Sequence, residues 1–268
     1  MHFLTKKDVI IPKRKSDSHK GDFGRALIIG GSVRYVGAPS LAGLAALRSG
    51  CDLVNIAAPE KVAWAINKLS PDLITIKLSG KKLSLKHYNQ LVKEANKADA
   101  VLIGSGASLD SAPKKLMKKL CEKLSYKKVI DADALKSIDL RKVSNSILTP
   151  HRGELKILLR NSKLKNVAQA QKILSNNILV IKGQIDQIII NDKIFYNKTG
   201  NPGMTKGGTG DVLAGLALGY LCQGQSLLQS AINAVYINGL AGDILMKKKK
   251  GFTYLASDLA EEIGRLKI

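Results

Sequence analysis

No apolar run in this chain is long enough to cross a bilayer. Stretches such as 26–29 and 188–190 fall far short of the ~20 residues a spanning helix needs. The first fifteen residues mix lysine and arginine with brief apolar pieces, so the sustained centre of a secretory signal is missing and a cytoplasmic location is expected. Cysteine and histidine are scarce. Cys51, Cys121 and Cys222 are too widely spaced for a CxxC zinc site, and His2, His19, His87 and His151 are equally scattered. The thiols read as buried or incidental, and no structural metal is expected. Acidic residues are short too: 21 Asp and Glu face 43 Lys and Arg, for a net charge of +22. That charge alone points to nucleic acid or an acidic membrane. Aromatic residues, at 4%, are too few to stack bases among the basic groups, and the lysines are spread over helix-like segments (114–128, 156–172). Specific nucleic-acid binding and membrane association are therefore not expected, which leaves the charge to attract small anionic substrates.

What is present is a repeated pairing of short β-branched runs with longer helical patterns, the mark of a mostly parallel sheet covered by helices on both faces. Strands are expected at 26–29, 53–57, 73–77, 100–103, 129–131, 146–149 and 179–182, several of them continuous apolar runs suited to burial on both sides. Segments 187–190 and 193–196 flank Asn191-Asp192, a hairpin-type turn, and predict an antiparallel edge. Helices are expected at 39–49, 85–97, 113–124, 167–176, 212–223 and 227–247, the last two apolar enough to pack deep inside. No linker or internal repeat divides the chain, so residues 1–268 read as one α/β domain.

The chemistry concentrates in GNPGMTKGGTGDVLAG, residues 200–215, which ends in a buried-looking helix. Glycines at this density let backbone amides approach a ligand, and those amides together with the positive end of the following helix make a nest for a phosphoryl group. Asp211, in the first turn, is either a helix cap or a general base toward a substrate hydroxyl, and a simple cap does not need Gly207, Gly208 and Gly210 before it. Neither GxxxxGK followed by Ser or Thr, nor GxGxxG opening a helix after the first strand, occurs. A P-loop and a standard dinucleotide fold are thereby disfavoured. Asp131 and Asp133 close a strand on the side where open parallel sheets bind ligands, and serve to orient loops or a hydrated cation. Glu154 is placed to cap the helix it opens.

Six motifs occur in order: KGDFGRALIIGGS (20–32), YVGAP (35–39), DADAL (131–135), LTPHRGEL (148–155), VIKG (180–183) and the glycine–aspartate segment (200–215). Together they resemble the ADP/ATP-dependent NAD(P)H-hydrate dehydratases, a ribokinase-like family, from about Lys20 to the C-terminus. The resemblance implies a three-layer α/β/α ribokinase-like fold with a mostly parallel central sheet and an antiparallel edge. It implies ADP-dependent dehydration of the S-form of hydrated NADH and NADPH, releasing AMP and phosphate. Asp211 would then be the base, with Ala38, Gly104, Gly106, His151 and Asp211 on the hydrated nucleotide. Lys182, Gly183, Gln184, Ile185 and Asp186, with Gly207, Gly208, Thr209 and Gly210, would hold ADP or ATP, and magnesium is implied as a helper. Homotetramers are implied by the same resemblance. Two departures stand out: the family's GPGLG turn is here Gly104-Ser105-Gly106-Ala107-Ser108, and Lys206 stands where a small or neutral residue is usual. The alternative within the superfamily is a small-molecule kinase of the hydroxymethylpyrimidine or thiazole type.

Overall fold

The computed structural model describes residues 1–266. Among them, ten strands form one sheet: β1 (His2–Phe3), β2 (Arg25–Ile29), β3 (Leu53–Pro59), β4 (Ile74–Leu78), β5 (Ala100–Ile103), β6 (Lys128–Ile130), β7 (Ser146–Leu148), β8 (Ile178–Ile181), β9 (Asp186–Ile189) and β10 (Ile194–Asn197). Their spatial order is β1-β10-β9-β8-β7-β6-β5-β2-β3-β4. Every pairing is parallel except those of β9 with β8 and with β10. The expected antiparallel margin is therefore one reversed strand. Beyond β10 the N-terminus adds β1 in parallel, an edge for which no strand was expected.

The alternation of side chains in each strand builds two cores. From β2, Ala26 and Ile28 enter one cluster while Leu27 and Ile29 enter the other, all at most 1% exposed. Such strands are sandwiched between helical layers, which is why their sequences read as unbroken apolar runs. On the first face pack α1 (Gly37–Arg48), α2 (Glu60–Leu69), α7 (Thr209–Cys222), α8 (Leu227–Lys248) and α9 (Ala256–Ile263). On the second lie α3 (Tyr88–Ala95), α4 (Ser111–Lys123), α5 (Arg152–Asn161) and α6 (Val167–Lys172). The segment expected as one helix over 85–97 is a 3₁₀ turn, Leu85–His87, followed by α3, and the helix expected over 167–176 stops at Lys172. Helices α2 and α9 carried no sequence-based expectation, and α5 is the helix that Glu154 was expected to open. In α2 the buried face is Val62, Ala63 and Ile66, while Trp64 and Leu69 are exposed.

Small residues bring α7 against α1. A Cβ on Gly215 would lie 2.1 Å from the Ala42 carbonyl oxygen, and one on Gly219 would lie 2.0 Å from Ser49 Oγ and 2.8 Å from the Ala46 carbonyl oxygen. Backbone atoms cannot step aside as a flexible side chain can. Gly215→Ala should therefore lower the denaturant midpoint, by about 1–3 kcal/mol of stability. An unchanged midpoint would show that α1 and α7 are not locked at this crossing. The crossing sets where the first turn of α7 stands, and with it Asp211.

Candidate active site

The C-terminal ends of the parallel strands converge on the start of α7. Gly208 precedes it in the left-handed conformation (φ +96°), and a Cβ there would stand 2.6 Å from Leu41 and 2.9 Å from Ala256. Glycine meets both demands, since it lacks the Cβ and tolerates positive φ. The Val212 amide bonds the Gly208 carbonyl at 3.0 Å, which leaves the amides of Gly210 and Asp211 among the unpaired donors of the helix start, at the positive end of its dipole. Thr209 Oγ1 is engaged by the carbonyls of Met204 (2.7 Å) and Lys206 (3.0 Å), so that hydroxyl folds the glycine loop onto the helix. Gly207 is exposed, with open space where a side chain would stand.

Asp211 is not a cap. The N-cap is Gly208, and no side chain bonds the helix start. Burial raises the Asp211 carboxyl to about 7, Asp131 and Glu154 adding to the rise while the Ser105 hydroxyl and the Lys182 ammonium oppose it.

Lys182 is the cation of the site. The β8 segment runs on to pair with the loop after β7, the Lys182 amide donating to the Pro150 carbonyl at 3.0 Å, and this brings Lys182 beside His151. Its Nζ stands 3.1 Å from Asp131 Oδ1 and 3.9 Å from Glu154 Oε2. A Cβ on Gly210 would lie 3.3 Å from that Nζ, so the ammonium sits at the mouth of α7. Burial works against the charge, but Asp131 and Glu154 outweigh it, and the Lys182 pKa is raised. Glu154 is raised as well, by burial first and then by Asp131, with Lys182 opposing. Asp131 also accepts from Thr149 Oγ1 at 2.6 Å, and Asp133 accepts from the Ser108 amide at 3.0 Å and from Lys136 Nζ at 3.1 Å. Both aspartates therefore orient loops, as their strand-end position suggested. Asp186, its carboxyl raised by burial, accepts from the Gly183 amide (3.0 Å) and from Asn197 Nδ2 (3.1 Å), which closes the turn 182–186 on itself.

His151 is the N-cap of α5. Its Nδ1 accepts from the amides of Gly153 (3.0 Å) and Glu154 (3.3 Å), so the neutral ring carries its proton on Nε2. Glu154 returns the contact, accepting from the His151 amide at 3.1 Å. The cap reading of Glu154 holds, although its buried carboxylate also belongs to the Lys182 cluster.

A cavity of about 990 Å³ opens beside the mouth of α7. It takes in His151, Lys182, Gly183, Gln184, Ile185, Asp186, Thr209 and Gly210, and its far wall is formed by Met204, Leu213, Val235 and Asn238. Asn238 was not expected at the site. Its Oδ1 is buried without a partner, and its helix reads as pure core in the sequence. Ala38, Gly104 and Gly106 lie outside this cavity's lining. A Cβ on Gly106 would be 3.1 Å from Ala38 Cβ and 2.8 Å from Tyr35 Cβ, so the YVGAP loop and the Gly104–Ser108 turn interlock. Gly104 (φ +125°) admits the Asp131 carbonyl to within 2.0 Å of where a Cβ would be, a packing role. Asp211 follows Gly210 of the cavity lining directly in the chain, in the first turn of α7. Lys206 also lines the cavity, while its Nζ donates to the carbonyls of Phe252 and Tyr254, tying the loop 200–207 to the segment before α9.

Comparison with known proteins identifies the family. A family model described as NAD(P)H-hydrate dehydratase matches residues 26–265. A bifunctional NAD(P)H-hydrate repair enzyme Nnr of Methanothermobacter thermautotrophicus is 42% identical over 94% of this chain and 51% of its own length. The chain thus spans about half the length of the bifunctional relatives it matches. The ADP-dependent (S)-NAD(P)H-hydrate dehydratase of Nitrosopumilus maritimus is 38% identical over 95% of this chain and 92% of its own. The solved ADP/ATP-dependent NAD(P)H-hydrate dehydratase of Bacillus subtilis, co-crystallised with ATP and magnesium, superposes with a TM-score of 0.76 at 28% identity, covering 98% of this chain and 96% of that one. The fold is the ribokinase-like one. By the family model and by these full-length matches, the chain belongs to the NAD(P)H-hydrate dehydratase family.

Proposed function

We propose that this protein uses ADP to dehydrate the S-form of hydrated NADH and NADPH, over one catalytic domain spanning residues 1–268. The observation that carries the reading is a half-buried carboxylate that caps nothing, Asp211, in the first turn of α7 and next in the chain to Gly210 of the cation-bearing cavity. Asp211 takes the proton of the C6 hydroxyl as that oxygen attacks the terminal phosphorus of ADP, and the bond from phosphorus to the AMP oxygen breaks. The Gly210 and Asp211 amides, with Lys182, stabilise the charge on the phosphoryl group in transfer. The C6–O bond then breaks with help from the ring-nitrogen lone pair, C5 loses a proton, and the products are the dihydronicotinamide, AMP and phosphate. Hydroxide is a poor leaving group and phosphate a good one, so a kinase-like site serves a dehydration.

Ala38, Gly104, Gly106 and His151 are assigned to the hydrated nucleotide, while Lys182 to Asp186 and Gly207 to Gly210 are assigned to ADP, with ATP as the alternative donor. Within the ADP group, Gly208 and Thr209 act through loop shape. Magnesium would neutralise charge on the phosphates. Such an ion would arrive on the nucleotide and keep most of its waters. Asp131 and Glu154, beside Lys182, would be the carboxylates available to hold its waters. A homotetrameric assembly and a cytoplasmic location complete the proposal on family resemblance; no helix among the described residues is long and apolar enough to cross a membrane.

The test is direct. Purified protein with ADP, magnesium and the S-hydrate of NADH should restore the NADH absorbance band, whereas a small-molecule kinase would leave a stable phosphorylated alcohol. The pH dependence follows from Asp211. The base works as carboxylate and titrates at about 7, so kcat/KM should rise with pH through about 7 and fall about tenfold per unit below it. A flat profile between pH 5 and pH 8 would remove Asp211 from the role.

A further inference from the structure

The glycine segment 200–215 carries two charged side chains, Asp211 and Lys206. Lys206 lines the cavity, and its seat is built from several directions. Its Nζ donates to the carbonyls of Phe252 and Tyr254 and stands 5.2 Å from the centre of the Tyr254 ring. Tyr254 is fully buried and fixed in turn, its hydroxyl donating to Asn201 Oδ1 at 2.7 Å while Asn201 Nδ2 donates to Asp243 on α8 at 3.1 Å. This seat adjoins the phosphate nest. Lys206 lies two residues before Gly208 and Tyr254 two residues before Ala256, and a Cβ on Gly208 would stand 2.9 Å from Ala256 Cβ. Carbonyl groups orient an ammonium, but they do not neutralise it.

The other lysines that line the cavity are engaged elsewhere. Lys182 is shared by Asp131 and Glu154, and Lys198 Nζ lies 4.0 Å from the centre of the Phe3 ring at the sheet edge. Asp243, the acid of the Lys206 network, is taken up by the Gly200 amide (2.9 Å) and by Asn201. Among the described residues Lys206 enters no salt bridge, and its partners are neutral carbonyls. We propose that Lys206 is a nucleotide-binding residue: held on those carbonyls, its un-neutralised charge draws the phosphate chain to the nest and grades nucleotides by their charge, ADP above AMP. This rests on the reading of the cavity as the ADP site. A charge fixed in this way acts without contact, since the screening length is about 10 Å at 0.1 M salt. AMP, the product on that reading, carries one phosphate fewer, so the charge that captures the donor holds the product less.

The experiment titrates the native protein, Lys206→Gln, Lys206→Met and Lys206→Arg calorimetrically with magnesium-free AMP, ADP and ATP, at low and at high potassium chloride. Glutamine keeps a donor for the carbonyls and drops the charge, whereas methionine drops both. At low salt ADP affinity should fall about threefold in Lys206→Gln and Lys206→Met alike, the scale of one partly exposed charge pair, with ATP losing more and AMP less. The differences should close at high salt, and Lys206→Arg should keep the native order. That graded, salt-sensitive loss supports the proposal. If Lys206→Gln binds all three nucleotides as the native protein does, or loses AMP and ATP equally, the proposal is overturned. Lys206 is then a tie for the loop alone, and the reading of the cavity stands. A native protein that takes up no ADP overturns both.

Discussion

Asp211→Asn should reduce turnover of the hydrate at least 10²-fold while ADP still binds. The amide keeps the shape of the side chain and the helix start, and it cannot take up the hydroxyl proton. General-base assistance contributes about 10²–10⁴-fold, and the phosphate nest rests on backbone amides that the substitution does not touch. The same variant should be more stable than the native protein at neutral and alkaline pH. The sign follows from the protons bound. Between the ordinary carboxyl value of 3.8 and about 7 the folded state holds a proton on Asp211 that the unfolded chain has released. Native stability therefore falls as pH rises through that window, and the full cost of a buried charge remains above it. Asparagine removes the cost. The stabilisation should be nearly absent at pH 4 and reach on the order of 2–4 kcal/mol at pH 8, read from urea midpoints. Equal stability at pH 8, with turnover kept within tenfold, would mean that Asp211 is neither strained nor the base.

Lys182→Met carries the second large effect, and of opposite sign. The aliphatic stem is retained and the charge removed, which strands Asp131 and Glu154 beside one another without their shared counter-ion. Breaking a buried pair by removing one partner commonly costs about 3–5 kcal/mol. The Lys182 pKa is raised in the fold, so its contribution is present throughout the acid and neutral range and is lost only above the ordinary lysine value. Without Lys182 the carboxyls of Asp211 and Glu154 are raised further, so the stability loss should be larger at pH 8 than at pH 6. ADP affinity should fall more than tenfold, because the cation at the mouth of α7 is gone. A double variant, Lys182→Met with Asp131→Asn, should recover part of the stability and none of the ADP affinity, as calorimetric titration would show. If the double variant regained ADP binding, Lys182 would be a structural counter-ion alone.

Much of this site was legible in the sequence because glycine leaves a record of backbone demands. Gly208 is required by a left-handed turn against Leu41 and Ala256, and Gly215 by the crossing with Ala42. The buried strands were equally readable, since apolar residues on both faces leave few alternatives. What escaped was set by distant partners. Strand β1 has two residues and exists only by pairing with β10. Helix α2 is short, with a buried face of only Val62, Ala63 and Ile66, and Asn238 looked like one more residue of a core helix. The departures from the family pattern could be noticed in sequence but not interpreted. Lys206 turned out to hold the carbonyls of Phe252 and Tyr254, and Ser105 turned out to be fully buried. Neither environment has a local sequence signal, because each is set by residues distant in the chain.

The central claim is that a kinase-like site carries its phosphoryl transfer through to elimination. Phosphorus NMR of the native protein with ADP, magnesium and the S-hydrate of NADH, followed alongside the NADH band, tests it in one experiment. AMP, inorganic phosphate and NADH should accumulate in equal amounts with no lasting phosphomonoester on the nicotinamide ring. A phosphorylated hydrate that persists, or AMP formed without NADH, would contradict the account.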